Sequence, residues 1–273
     1  MSAPVRDPET GAVDLQALLA APAAMLQGNC SRGHGHFRAM TLMVDGDQTK
    51  PRCPRCDEEQ RREASSEQAR LIEAEREEIQ RRKRLEKIGL PERMVPKRYV
   101  DFVAPTPTAE KHLAVVKAYA SDWKQTRDGG ANLILCGKPG TGKTHLASIA
   151  CKHIASEHRA QPLYTTTTRM LRHIRGSYSK TAEYSEEEAV SRFAYCDLLV
   201  LDEVGVKLAS DNDRSLLFEI IDERYQQLRP TILISNLTVG EIAQQTDERL
   251  VDRLIENGQV LLFDWPSHRG QAS

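Results

Sequence analysis

No apolar run in this sequence is long enough to cross a bilayer, and its first residues lack the basic-then-apolar layout of a secretory signal. The expectation is therefore a cytoplasmic protein with no membrane partner. A dominant charge is also missing: 38 Lys and Arg stand against 39 Asp and Glu, a formal net charge of −1. No global field draws in nucleic acid, so any such contact must come from a local basic patch. There is no internal repeat and no low-complexity segment. Six cysteines among 273 residues, without export, point to thiols and metal rather than a disulfide framework. What is present in quantity is a core: 40% hydrophobic residues can fill one large domain or a principal domain with an appendage.

The most informative stretch is Gly137-Lys138-Pro139-Gly140-Thr141-Gly142-Lys143-Thr144, directly behind the apolar run Leu133-Ile134-Leu135 and ahead of a helical pattern. Glycines at these spacings let a turn without side-chain obstruction aim backbone N–H groups at phosphate oxygens, and the following helix adds the positive end of its dipole. Lys143 is placed to reach the β- and γ-phosphates and Thr144 to hold Mg²⁺. Downstream, Leu198-Leu199-Val200-Leu201 reads as a buried strand ending in Asp202-Glu203. A carboxylate there lies beside the phosphate loop in a parallel sheet, so Asp202 can orient the Mg²⁺ shell and Glu203 can polarise a water for attack on the γ-phosphate.

Around these motifs, apolar segments alternate with helical ones. Candidate strands are Leu133–Cys136, Pro162–Thr166, Leu198–Asp202, Thr231–Ser235 and Gln259–Phe263. The stretches between them carry helical faces, such as Leu146, Ile149 and Ile154, or Leu217, Ile221 and Leu228. This alternation predicts an α/β fold: a five-stranded parallel sheet flanked by helices, with the phosphate loop at its carboxyl edge.

Ahead of that domain, the apolar stretch Leu15 to Leu26 predicts a short helix, and a charged tract over residues 57–88 predicts a solvated linker helix with a thin apolar stripe. The domain reading is 1–56, 57–88 and 89–273, with Pro105-Thr106-Pro107 at the entrance to the main body. Within the first zone, Cys53-Pro54-Arg55-Cys56 offers two thiolates on one knuckle, and Cys30 with His34 lies some twenty residues upstream. That is a donor set of the kind tetrahedral Zn²⁺ takes, structural rather than catalytic; His36 is the alternative to His34. Cys136, Cys151 and Cys196 read as core.

Three further polar groups stand out. Asn236 follows the strand ending at Ile234 and can hold a water beside Glu203, or merely make a turn. Arg249 and Arg253 share one face of the helical stretch Asp247–Asn257, with Glu248 and Asp252 beside them. Arg169, Arg172, His173, Arg175, Tyr178 and Lys180 form a local basic stretch with one aromatic, the side-chain types that track a single-stranded backbone.

Taken in order, Gly-Lys-Pro-Gly-Thr-Gly-Lys-Thr-His-Leu ending at Leu146, Leu-Val-Leu-Asp-Glu-Val-Gly ending at Gly205, Pro-Thr-Ile-Leu-Ile-Ser-Asn-Leu ending at Leu237, Glu-Arg-Leu-Val-Asp-Arg-Leu ending at Leu254 and Phe-Asp-Trp-Pro-Ser-His-Arg ending at Arg269 resemble the DnaC-type helicase loaders. The likeness runs from about Gly89 to Arg269. It implies an AAA+ ATPase using ATP and Mg²⁺ at residues 137–145, with Asn236 as sensor 1, Arg269 as the sensor-2 arginine and Arg253 as an arginine finger reaching a neighbouring subunit, a role Arg249 could exchange with it. A finger supplied in trans is worth about 10³–10⁵ in rate, so the resemblance implies self-association into a ring or spiral. It further implies a replicative DnaB-type helicase and single-stranded DNA as partners, and an adenine pocket around Arg98, Tyr99 and Phe102. A Cys/His cluster ahead of a charged helix also resembles phage and prophage loaders. The alternative within the same branch is an IstB-like transposition helper acting with a transposase on duplex DNA.

Overall fold

The alternation of buried apolar strands with amphipathic helices builds one parallel sheet, preceded by a small, separately packed unit. The computed structural model describes residues 24–41, 43–44, 47–205 and 210–268, and its packing divides the chain at Glu77/Glu78. Among the described residues no helix is long and apolar enough to cross a membrane.

In the first unit, β1 (Ala24–Asn29) pairs antiparallel with β2 (His36–Thr41), and two short strands, β3 (Met43–Val44) and β4 (Asp47–Gln48), form a second hairpin. Gly28 lies opposite Phe37, and a Cβ at Gly28 would come within 2.6 Å of the ring, so glycine is what lets the aromatic lie across the pair. The expected helix over Leu15–Leu26 is overturned at its described end. Residues 24–26 alternate in exposure with period two and take cross-strand partners, a pattern three apolar residues could not disclose; the rest of that stretch lies outside the described residues. Helix α1 (Pro54–Lys87) has 34 residues, none buried within Pro54–Lys87. It starts three residues ahead of the expected tract because Pro54 has the helical φ and lacks the N–H that a first turn would leave unpaired.

The second unit continues through two 3₁₀ turns, Glu92–Met94 and Tyr99–Asp101, into α2 (Pro107–Ser121), α3 (Trp123–Asp128), β5 (Asn132–Gly137), α4 (Lys143–Glu157), β6 (Pro162–Thr166), α5 (Thr167–Gly176), α6 (Glu186–Ala194), β7 (Leu198–Asp202), α7 (Asp211–Gln226), β8 (Thr231–Ile234), α8 (Val239–Gln245), α9 (Glu248–Glu256) and β9 (Gly258–Phe263). The sheet order is β6-β7-β8-β5-β9, all parallel. Each predicted strand is therefore present, and β5, β7 and β8 are buried throughout, as unbroken apolar runs require. One core layer joins Val116, Trp123, Leu146, Ile154 and Phe263; the other joins Met170, Phe193, Leu217, Ile221 and Leu250.

Leu228 does not belong to the α7 face: that helix ends at Gln226, and Leu228 is exposed at φ 49°. Cys136 and Cys151 are buried in the core, and half-buried Cys196 faces Arg224. Arg224 is 1% exposed and takes no carboxylate among the described residues. Its guanidinium donates instead to Thr231 Oγ1 at 2.9 Å and to the carbonyls of Phe193, Ala194, Cys196 and Pro230, tying α6, α7 and β8 together.

Two details of this unit position the site. Tyr164 on edge strand β6 donates its N–H to Ile88 O at 2.7 Å, with Ile88 fully buried, so the chain leaving α1 adds a rung to the sheet edge. Lys152 of α4 donates to the carbonyls of Met94 and Val95 at 3.0 and 2.8 Å and to that of Lys97, clamping the lead-in against the helix that follows the phosphate loop.

Candidate functional site

The turn from β5 to α4 follows the geometry its glycines dictate. Gly137, Gly140 and Gly142 have φ of 110°, 77° and 97°, the left-handed region that side chains disfavour. A Cβ on Gly137 would lie 2.5 Å from Phe263 O, and one on Gly142 would lie 2.6 Å from the Phe102 ring. The loop is strapped from the far end of the chain. Lys138 N–H donates to Phe263 O at 2.8 Å, Lys138 Nζ to Asp264 O at 2.6 Å, Trp265 Nε1 to Thr141 O at 3.1 Å, and His268 N–H to Gly140 O at 3.1 Å. The motif Phe263-Asp264-Trp265-Pro266-Ser267-His268 is thus the brace of the phosphate loop, with Trp265 3% exposed.

Lys143 is 5% exposed, and its ammonium donates to Gly137 O at 2.8 Å and Lys138 O at 2.6 Å, which holds it over the loop. Thr144 Oγ1 donates to Asp202 Oδ2 at 2.8 Å, and Tyr164 Oη donates to the same oxygen at 2.6 Å. The other oxygen, Oδ1, accepts Glu203 N–H at 2.8 Å. Glu203 has φ 61°, a conformation that costs a non-glycine residue about 1–3 kcal/mol and that recurs where a side chain must be aimed at a site.

These groups meet in a cleft of about 720 Å³ at the carboxyl ends of the strands, lined by Pro139, Gly140, Gly142, Lys143, Thr144, His145, Asp202, Glu203 and Asn236. The sequence-predicted loop, acid pair and asparagine are brought together there. His145 turns its ring edge toward Phe102, 5.8 Å between centroids, and burial pushes its pKa down, so a neutral ring faces the cleft. An ammonium, a hydroxyl bonded to a carboxylate and a second, aimed carboxylate are the groups that phosphoryl transfer uses.

The remaining expectations divide. Phe102 lines the cleft, but Arg98 and Tyr99 are not among its lining residues; Tyr99 packs edge-on to His153 beneath Lys117, and Met94 and Lys97 line the wall instead. Arg249 and Arg253 are also not among the residues lining this cleft. Their partners are not Glu248 and Asp252: Arg249 pairs with Asp247 at 2.7 Å and Arg253 with Asp222 of α7 at 3.1 Å, since those acids lie where the side chains lean. Arg269 lies outside the described residues. The basic stretch on α5 is largely used internally. His173 stacks on Tyr184, Arg175 pairs with buried Asp213, Tyr178 donates to Glu186, and Arg169 lines the nucleotide-sized cleft.

Sequence reasoning missed Tyr164. The signal was register: Thr166 pairs with Asp202 across the two strands, and Tyr164, two residues earlier, shares its face.

In the first unit, Cys30, His34, Cys53 and Cys56 place their four donor atoms within 4.8 Å of one another. Cys30 Sγ lies 3.4 Å from Cys56 Sγ, and His34 Nδ1 lies 3.3 Å from Cys56 Sγ and 3.7 Å from Cys53 Sγ. A disulfide needs sulfurs near 2 Å, whereas the edges of a zinc tetrahedron come to about 3.4–3.8 Å from its bond lengths. The Cys30 thiol is held down to about 6, chiefly by the His34 backbone N–H, and Cys56, sharing a hydrogen bond with it, is pushed up to about 12. His34 is therefore the imidazole of the cluster and His36, at the start of β2, is not. The outer nitrogen, His34 Nε2, faces Glu59 Oε1 at 3.2 Å, and Arg32 lies 3.5 Å from Glu59 Oε2. Glu59 is a further residue the sequence did not reveal; it lies on the first turns of α1, one turn after Cys56.

Comparison with known proteins adds the following. A model for a family described as IstB-like ATP binding protein matches residues 59–273. The replicative helicase loader DnaC of Buchnera aphidicola subsp. Schizaphis graminum is 31% identical over 160 residues, 58% of this chain and 63% of that protein. That of Escherichia coli strain K12 is 30% identical over 156 residues, 56% and 63% respectively. The chain thus spans 63% of the length of these curated relatives. Among solved structures, that of the DnaC helicase loader superposes with a TM-score of 0.57 at 21% identity, covering 63% of this chain and 99% of that one, which establishes a shared fold.

Proposed function

The chain belongs to the IstB-like ATP-binding protein family, and from that premise we propose that it is an ATPase that places a replicative DnaB-type hexameric helicase on single-stranded DNA and releases it on ATP hydrolysis. The observation that carries the reading is the single cleft in which Lys143, Thr144, Asp202, Glu203 and Asn236 meet, with Thr144 bonded to Asp202. The loop at 137–142, whose three glycines at positive φ leave no Cβ beside its backbone N–H groups, fits a triphosphate, and the Thr144–Asp202 pair fits Mg²⁺. Mg²⁺, when bound, neutralises charge on the β- and γ-phosphate oxygens. Lys143 binds those oxygens, Asp202 orients, Glu203 takes a proton from the attacking water, and Asn236 holds that water.

Arg253, or Arg249 in exchange with it, serves a neighbouring copy, which fits its position outside its own cleft, and Arg269 completes the set as the sensor-2 arginine. Hydrolysis by such a site depends on self-association into a ring or spiral. The loss of the γ-phosphate then shifts the assembly from the holding state to the releasing one. The three thiols and imidazole at residues 30–56 hold a structural Zn²⁺ that crosslinks the small unit, which grips the helicase. The names of the DnaC relatives support the loader over the transposition helper.

The experiment is Glu203→Gln. The variant should bind ATP like wild type and lose about 10²–10⁴ in turnover, the range a general base contributes. Full turnover removes Glu203 from this role. Copurification with a replicative helicase supports the loader, and copurification with a transposase in its place overturns it.

A further inference from the structure

The two arginines of α9, one turn apart, are held in different ways. Arg249 gives Nε and Nη2 to Asp247, the residue that caps its own helix, at 3.1 and 2.7 Å, and its guanidinium lies 4.4 Å over the ring of Phe218. The edge with which an arginine takes two oxygens of a phosphate is thus already given to a carboxylate. Arg253 is gripped from another element. Its Nε donates to Asp222 Oδ1 of α7 at 3.1 Å, and among the described residues this is its one hydrogen bond to a carboxylate. Its guanidinium lies 4.5 Å over the ring of Tyr225, three residues further along α7.

Each of these two holders is itself held. Asp222 Oδ2 accepts Gln226 Nε2 at 2.6 Å, and the Tyr225 hydroxyl donates to Glu256 Oε2 at 2.7 Å. Carboxylate and ring therefore keep their orientation before any second copy approaches, and their spacing of three residues sets them on one face of α7. The two helices do not need them for cohesion. α7 and α9 already share the apolar cluster that contains Leu217, Ile221, Leu250 and Leu254. An ion pair whose side chains are 40% and 21% exposed adds little to stability. Two braced groups converging on one arginine are explained instead by where that arginine must point.

We propose that Asp222 and Tyr225 are positioning residues that aim Arg253 at the triphosphate of a neighbouring copy. Asp222 fixes the guanidinium at Nε and the ring fixes its plane, which leaves both Nη groups without a hydrogen-bonded carboxylate among the described residues. A long side chain restrained in this way gives up less freedom when it meets phosphate oxygens. The inference rests on the finger reading proposed above, and it selects Arg253 over Arg249 for that role.

The test is the ATPase rate of full-length Asp222→Ala, alone and mixed with Arg253→Ala or with Lys143→Ala. Alone, its turnover should fall about 10–100-fold with ATP affinity and circular dichroism unchanged, since a misplaced group costs up to about 10². Tyr225→Leu should fall likewise, and Tyr225→Phe, which keeps the ring, should fall less. The mixture with Lys143→Ala should exceed the sum of the two proteins measured alone, because that variant lends an aimed Arg253 to intact phosphate loops. The mixture with Arg253→Ala should not, as neither protein supplies an aimed finger. A merely structural fault lowers both mixtures alike, and so overturns the proposal. Wild-type turnover by Asp222→Ala beside an inactive Arg253→Ala overturns the aiming role and leaves the finger standing, whereas full turnover by Arg253→Ala removes the finger itself. Faster turnover by Asp222→Ala would show that the carboxylate restrains Arg253, which also overturns the proposal. If Asp222→Ala fails to fold, Asp222→Asn keeps the volume, removes the charge and is read in the same mixtures.

Discussion

Tyr164 Oη lies 2.6 Å from Asp202 Oδ2, the oxygen that Thr144 also reaches, so one carboxylate oxygen is held by donors from β6 and α4 at once. Such a carboxylate has its orientation fixed from two sides. Tyr164→Phe removes one of them and keeps the ring in the core. The variant should need about 10–100-fold more Mg²⁺ for half-maximal ATPase, with turnover at saturating Mg²⁺ reduced far less. A Mg²⁺ titration identical to wild type would show that the hydroxyl does not position Asp202.

Glu59 stands to His34 as an outer carboxylate stands to a metal-bound imidazole. Glu59→Gln should weaken zinc by about 10–100-fold in a chelator competition, while ATP affinity holds. Unchanged zinc affinity would reduce the His34–Glu59 pair to a surface contact.

The proposed finger role of Arg253, which does not line its own cleft, calls for a test between copies. Arg253→Ala and Lys143→Ala should each be inactive alone, since one lacks the finger and the other the phosphate lysine. Mixed together, the two should recover activity, as the Lys143 variant lends its Arg253 to intact loops. No recovery at any mixing ratio argues against a shared site.

Burial holds the pKa of His112, His145, His153 and His173 below the ordinary histidine value of 6.5. The folded protein keeps these rings neutral, whereas the unfolded chain takes up protons first. Stability is therefore lost as pH falls through 6.5 toward the depressed values. Urea midpoints at about pH 7.5 and about pH 5.5 should differ, the lower pH giving the lower midpoint. An equal or higher midpoint at the acid end would contradict the burial of these rings.

Strands β5, β7 and β8 were legible because a strand buried on both faces reads as a compact apolar run, and they ran into Gly137, Asp202-Glu203 and Ser235-Asn236 at their carboxyl ends. Lys143, Thr144, Asp202, Glu203 and Asn236 were legible for the same reason: their positions relative to those runs set their place in the sheet. The hairpin at Ala24–Thr41 was not, since its pairing runs from Asn29 with His36 out to Ala24 with Thr41 and rests on a glycine under Phe37. Nor were Asp222, which holds Arg253, and the hydroxyl that holds Asp202, because both depend on how separate elements lean together. The choice between His34 and His36 likewise needed the loop's actual turn, with Gly33 and Gly35 at positive φ.

The hydrogen bond from Tyr164 N–H to Ile88 O makes the foot of a long, unburied helix a structural member of the sheet's rim. A torque on the end of that helix reaches the strand whose phenol steadies Asp202 through this bond, while Arg84, donating to Ala155 O, carries part of it into α4.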